Sequence, residues 1–176
     1  MRPTLALRGV QVFQGLLDRG SQNAILGEIR NIVVKAPLFS PKTPSGKPMS
    51  VQMTSAGNFG WVSDKSGYRY APNHPNGTVW PEIPSSVHQI WDKVSWSGRR
   101  RECCLVNLYR DGAKMGMHQD RNEAEFGEPV VSVSLGDDAL FRIGNLTRGG
   151  PTESIWLKSG DVVVMGGRCP PRLSRR

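Results

Sequence analysis

Histidine is scarce in this chain of 176 residues: there are three, His74, His88 and His118, and none follows His118. Cysteine is equally rare. Cys103, Cys104 and Cys169 make an odd set with no CxxC pair, which argues against both a disulfide framework and a cysteine zinc site. No stretch approaches the roughly 18 apolar residues of a membrane-spanning helix. Met1–Arg8 does not read as a secretory signal, because Arg8 interrupts its apolar residues. A soluble, cytoplasmic monomer with no membrane partner is expected. What is plentiful is glycine, 20 residues, and proline, 13, which favours short strands and many turns over a helical bundle. The length suits one domain with a real core. The net charge of +8 suggests a polyanionic partner, but Arg168–Arg176 alone holds four arginines and no acid. Without that tail, 19 basic residues face 15 acidic ones.

The first half reads as mixed structure. Residues 1–19 suggest a short strand and a connection. Ser21 is a plausible helix cap, with Ile25, Ile29, Ile32 and Val33 at helical spacing and Pro37 as the stop. The Pro/Ser-rich stretch 40–48 is a loop, and Met49–Thr54 is a strand. Residues 55–81 read as loop-rich and carry Trp61, Tyr68, Tyr70 and Trp80. A second helix follows Ser85-Ser86, with Val87, Ile90, Trp91 and Val94 on one face. From Cys104 the pattern turns to strands: Cys104–Tyr109, Lys114–Asp120, Pro129–Leu135, Ala139–Ile143, Ser154–Leu157 and Asp161–Met165, separated by turn signals. Within Val130–Leu135, Val131, Val133 and Leu135 alternate with Ser132 and Ser134, so one face is core and the other can line a polar cavity. The expected fold is α+β, a double-stranded β-helix (jelly-roll) core with N-terminal flanking helices.

The chemistry concentrates in Asn107–Asp120. If His118 and Asp120 lie on a strand, they share a face. An imidazole and a carboxylate so placed supply two of the three protein ligands of the two-His-one-carboxylate triad that holds Fe(II) with open positions. Taken alone, His-x-Asp is a weak motif and equally fits a surface turn. Asn107 and Tyr109, just upstream, can donate hydrogen bonds to a carboxylate co-substrate.

In this context the chain resembles the AlkB family of Fe(II)/2-oxoglutarate-dependent dioxygenases. The resemblance runs from about Met49 to Gly167. It is carried by Met49-Ser-Val-Gln-Met-Thr54, Gly60-Trp61, Gly67-Tyr-Arg-Tyr70, Trp80-Pro81, Asn107-Leu-Tyr109, Asp111-Gly-Ala-Lys114, His118-Gln-Asp120, Val131-Ser-Val-Ser-Leu-Gly136 and Gly160-Asp-Val-Val-Val-Met-Gly-Gly167. It implies oxidative demethylation of alkylated bases in single- or double-stranded DNA, or in RNA, with Fe(II), 2-oxoglutarate and O2, releasing succinate and formaldehyde. By position, His118 and Asp120 would be the catalytic iron ligands, and Asn107 and Tyr109 the donors to 2-oxoglutarate. Trp61 and Tyr68 would wall the damaged-base pocket, with Arg69 and Tyr70 near the nucleic-acid backbone and Arg148 a pocket or strand contact. Trp80 and Trp91 read better as packing.

Two departures stand out. The family carries a second Asp two positions after the metal Asp, and here that position is Asn122, which would weaken the attraction for cationic lesions. The family pattern also continues past Gly-Gly with Arg-Leu and Tyr-His-Gly, then with two arginines, one of them pairing with 2-oxoglutarate. None of this follows Gly167. Codons can be chosen for Arg168–Arg176 that, read one base later, encode Gly-Ala-Arg-Leu-Ala-Tyr-His-Gly. The expectation is therefore a dioxygenase domain over 1–167 that lacks its last strands, followed by a frameshifted basic tail over 168–176. A natural shortening, with a tail that binds nucleic acid, is the alternative reading of the tail. For function, the alternatives are a catalytically dead nucleic-acid-binding relative and a jelly-roll dioxygenase acting on a protein or small molecule.

Overall fold

The computed structural model describes residues 1–118, 127–145 and 149–166. Two compact units interleave along the chain: Met1–Ala24, Gln89–Gly98 and Glu123–Arg176 form one, and Ile25–His88 with Arg99–Asn122 form the other. The α+β class expected from the sequence is present, with two helices and a majority of short antiparallel strands among the described residues.

In the first unit, β1 (Leu5–Leu7), β2 (Val10–Phe13), β7 (Pro129–Val133) and β10 (Val162–Gly166) form a sheet in the order β1-β2-β10-β7. A separate pair joins β8 (Ala139–Ile143) and β9 (Glu153–Leu157). Strand alternation sends Val10, Val12, Val163, Ile143 and Leu157 into a common core, with Phe141, Ile155 and Met165 packed against it. Ser132 pairs with Val163 and so shares that core face, while Val162 and Val164 are also sealed. The alternation expected for β7 puts Ser132 on that side and Val131 and Val133 on the other, and Val-Val-Val on β10 gives apolar cover on both sides of the sheet. Asp161 is buried at the entry to β10, where its carboxylate accepts the amides of Gly15 (2.7 Å) and Lys158 (2.9 Å). These bonds offset the cost of burying its charge.

Helix α1 (Arg19–Lys35) starts earlier than Ser21. Asp18 is the cap, its Oδ1 accepting the Ser21 amide at 2.8 Å. A carboxylate facing a helix N-terminus outcompetes a serine hydroxyl, and the bonds from Ser21 hold the Asp18 carboxyl below its ordinary range. The helix ends where the Ala36 amide still reaches Ile32 O (2.7 Å) and Pro37 follows. Helix α2 (Ser85–Val94) begins where the amides of Val87 and His88 turn back to Pro84 O.

In the second unit, β3 (Gln52–Gly57) pairs antiparallel with β6 (Cys103–Leu108), placing Met53 opposite Asn107 and Ala56 opposite Cys104. One face of this pair packs Ala56 and Cys104 on Ile32, Ile83 and Val87. There the buried Thr54 hydroxyl donates to Ala36 O at 2.7 Å. Burial pushes the Cys104 thiol up to about 11. Iodoacetamide at pH 8 is therefore expected to alkylate Cys104 roughly a hundredfold more slowly than a free thiol, and at the ordinary rate once urea unfolds the chain. Peptide mass spectrometry of the time course reads this, and fast labelling of the folded chain would contradict it.

Residues 55–81, expected to be loop-rich, hold a hairpin of β4 (Gly60–Asp64) and β5 (Gly67–Ala71), in which Trp61 pairs with Tyr70 and Ser63 with Tyr68. Trp80 is packing, as expected: it is 4% exposed, lies with Val62 and Ala36, and donates Nε1–H to Ala71 O at 2.9 Å. The strand expected over Lys114–Asp120 is not present in its described part, 114–118. The Ala113 amide turns back to Arg110 O, and Ser50 caps Lys114 at both N–H and C=O (3.2 and 3.1 Å). With its backbone groups taken by a turn and a side chain, and with glycines at 112 and 116, this segment has no ladder to join. Among the described residues no helix is long and apolar enough to cross a membrane.

Candidate functional site

Most of the residues picked out from the sequence belong to the second unit. Leu105, Asn107 and, one residue past the strand, Tyr109 alternate on the exposed side of β6. Their side chains emerge about 6.6 Å apart, so Asn107 and Tyr109 can address one bound molecule from a single face. The β3 residues on this face, Met53 and Ser55, are buried at 1% and 0% exposure, so Asn107 projects beside a sealed floor. Met53 was not picked out from the sequence; its signal is its register opposite Asn107. Partial desolvation raises the Tyr109 phenol above its ordinary value, which keeps it a protonated donor at neutral pH.

His118 is exposed and follows a bend at Met117 instead of lying on a strand, so strand alternation does not orient it. Its ring is held differently: Nδ1 donates to Gly116 O at 2.8 Å. A carbonyl at Nδ1 fixes that tautomer and places the ring's lone pair on Nε2, the arrangement a metal-binding imidazole needs. Asp120 and Asn122 lie outside the described residues, as do Arg148 and the tail 168–176. Among the described residues no group of three His, Cys, Asp or Glu side chains is gathered. His74 is structural. It is buried, its Nε2 donates to Pro37 O (2.8 Å) and its Nδ1 accepts the Asn76 amide (3.1 Å). The donor chemistry of His118 and its sequence neighbour Asp120 fits a hard-to-borderline divalent ion such as Fe(II).

On the β4–β5 hairpin, Trp61 and Tyr68 stack on each other, with centroids 5.5 Å apart and planes at 21°. A base held between two rings needs roughly 7 Å, twice a van der Waals stacking distance. The pair therefore forms one continuous aromatic wall instead of two opposed walls. Tyr68 and Tyr70 are both exposed. Arg69 projects to the other face and closes a fork on Asp64, with contacts of 3.0 and 2.7 Å. The Arg69 guanidinium, helped by the Ser66 amide, lowers the Asp64 carboxyl to about 2. The pair thus persists at any working pH and is lost only as pH falls through about 2. Arg69, expected near a nucleic-acid backbone, is exposed and paired with Asp64 within the hairpin.

The sequence pattern of the 2OG-Fe(II) oxygenase superfamily matches residues 9–173. The chain is 45% identical over 174 residues to an "Alpha-ketoglutarate-dependent dioxygenase AlkB homolog" of Caulobacter vibrioides, covering 98% of this chain and 78% of that protein. It is 37% identical over 160 residues to "Alpha-ketoglutarate-dependent dioxygenase AlkB" of Escherichia coli K12, covering 86% and 74%. The solved structure of OsALKBH1 superposes with a TM-score of 0.72 at 27% identity, covering 94% of this chain and 83% of that one. The jelly-roll fold expected from the sequence agrees with this likeness.

Proposed function

The chain belongs to the 2OG-Fe(II) oxygenase superfamily and, within it, to the AlkB-like dioxygenases, and from that premise we propose that it demethylates alkylated bases in nucleic acid, DNA in the first place. Its relatives include proteins named as nucleic-acid dioxygenases and DNA demethylases, which supports this substrate class. The observation that carries the reading is the exposed His118 ring, set with its lone pair on Nε2 by the Gly116 carbonyl.

In this reading His118 Nε2 and the Asp120 carboxylate supply two of the three protein ligands that would hold Fe(II). When bound, iron with 2-oxoglutarate and O2 supplies the oxidising power that hydroxylates an N-methyl group, with loss of CO2 and formation of succinate. The rest falls to the chain. Asn107 and the protonated Tyr109 donate to the keto acid from one face of β6. The Trp61–Tyr68 wall takes the extruded base against its open face, since a base out of its stack regains contact on a flat ring. Tyr70 borders the same hairpin face as Trp61. An amide at position 122 would hydrogen-bond without adding negative charge, so cationic lesions would receive no extra pull, and Arg148 would be a pocket or strand contact. The hydroxymethyl product collapses to the free base nitrogen and formaldehyde.

Succinate release with a methylated single-stranded oligonucleotide tests the reading. Trp61→Ala is expected to weaken binding of the methylated strand by about tenfold or more, the scale of one lost base stack. Turnover of a free small keto-acid partner with no nucleic acid requirement would sink the proposal in favour of a small-molecule oxygenase.

A further inference from the structure

We propose that Lys42, Lys47 and Lys65 form a phosphate-binding rim for the strand that carries the target base, and that the groove beside Lys42 receives a neighbouring nucleotide. The proposal rests on the nucleic-acid reading above and extends it to a surface on the other side of the β4–β5 hairpin from Trp61. From Lys42 to Ala71 the chain carries four cations and one acid. Arg69 and Asp64 cancel each other, which leaves the three lysines. All three are exposed, and none makes an ion pair among the described residues.

The loop that carries two of them is already ordered. The Met49 amide donates to Pro41 O (2.8 Å), the Thr43 amide to Lys47 O (2.8 Å) and the Gly46 amide to Thr43 O (2.7 Å). Gly46 takes a positive φ of 85°, which the turn requires. Lys42 is fastened to β4 at both backbone groups: its amide donates to Ser63 O (3.0 Å) and its carbonyl accepts the Ser63 hydroxyl (2.6 Å). Lys65 reaches over from the hairpin turn, its Cε lying 3.6 Å from where a Cβ at Gly46 would stand. Lys65 thus lies over the turn that carries Lys47, and the backbone of that turn is already held, so little backbone ordering opposes phosphate binding.

The groove, about 550 Å3, runs along the hairpin face that holds Val62 and Arg69 and is lined by Phe39, Lys42, Asn73 and His74 among others. Its volume suits a nucleobase or sugar. Phe39 meets the His74 ring edge-on at 5.3 Å, giving an apolar wall, and Asn73 adds an amide. An unpaired basic rim beside a groove of mixed polarity fits an extended single strand, whose backbone and bases alternate in the same way.

Fluorescence anisotropy of the full chain with a thymidine homopolymer of about fifteen nucleotides tests this. Lys42→Ala and Lys65→Ala are each expected to weaken binding by roughly three- to tenfold at low salt, and each lost phosphate contact should lower the salt slope by about 0.7. The loss should be smaller with a trinucleotide, while Trp61→Ala weakens both. Arg69→Ala should cost less than either lysine. The three lysines are exposed, so melting temperature should not move. If the triple variant binds the long strand with wild-type affinity and slope, the rim is wrong while the base wall stands. If Lys158→Ala, exposed and outside this segment, costs as much as Lys42→Ala, the effect is net charge alone and the rim is overturned. If the wild-type chain binds no strand, this proposal and the nucleic-acid reading fall together. If the lysine variants change self-association instead of strand binding, the face is an interface between copies and the proposal fails.

Discussion

Replacing His118 by alanine is expected to lower Fe(II) affinity, and with it succinate release, by about two orders of magnitude or more. Removing partners that merely orient a metal ligand costs about ten- to a hundredfold, and a ligand itself costs at least as much. Thermal unfolding should barely change. His118 is exposed, and its Nδ1 bonds to a backbone group two residues away, Gly116 O. The contrast is His74→Ala. That ring is 6% exposed, bridges Pro37 O and the Asn76 amide, and meets both Phe39 and Trp80 edge-on. Its loss should lower the melting temperature and leave the intrinsic Fe(II) affinity of the folded fraction intact. Metal titration and thermal melts of the two variants separate the roles. A His118→Ala chain that binds Fe(II) like the wild type would remove His118 from the metal site.

That separation was half legible in the sequence. His118 stood out because of its neighbours, and the i, i+2 spacing of Asn107 and Tyr109 put them on one side, Asn107 on β6 and Tyr109 one residue past it. The strand expected over Lys114–Asp120 is absent over 114–118, although apolar residues alternate at Ala113, Met115 and Met117. Periodicity says nothing about where backbone groups bond, and here Ser50 takes both of those on Lys114. The β4–β5 hairpin was missed for the opposite reason. Its strands are five residues each and rich in Gly, Ser and charge, and cross-strand pairs such as Trp61–Tyr70 make them strands, which only the register reveals. The same register explains Arg69. Asp64 pairs with Gly67, so Arg69 is its diagonal neighbour on one face and within reach of a fork. Helical stripes fared better: Ile25, Ile32, Ile90 and Val94 are buried where the 3.6-residue spacing put them. The cap did not, because Asp18 and Ser21 compete for one helix start and the charged group wins.

Gly60→Ala is expected to be the most damaging small substitution in the hairpin. A Cβ there would stand 2.3 Å from Cε2 and Cζ2 of Trp80 and 2.8 Å from Ser55 Cβ. The indole cannot retreat easily, because its Nε1–H is bonded to Ala71 O at 2.9 Å, its edge meets His74 at 5.1 Å and it is 4% exposed. Overpacking of this kind costs about 1–3 kcal/mol, and an unyielding ring puts it at the upper end. Trp80→Ala should cost about 3–5 kcal/mol through lost burial and the cavity left behind. The two changes share one space, so they should not add. In the double variant the new methyl enters the cavity, and the combined loss should fall short of the sum by about 1 kcal/mol or more, within the range of coupled neighbours. Urea unfolding of the four proteins closes the cycle. Additive losses would mean that Gly60 and Trp80 do not contend for the same volume. Since Gly60 opens β4 one residue before Trp61, the single Gly60→Ala variant should also weaken strand binding beyond its effect on stability. The strand that must shift away from Trp80 is the one that presents the aromatic wall.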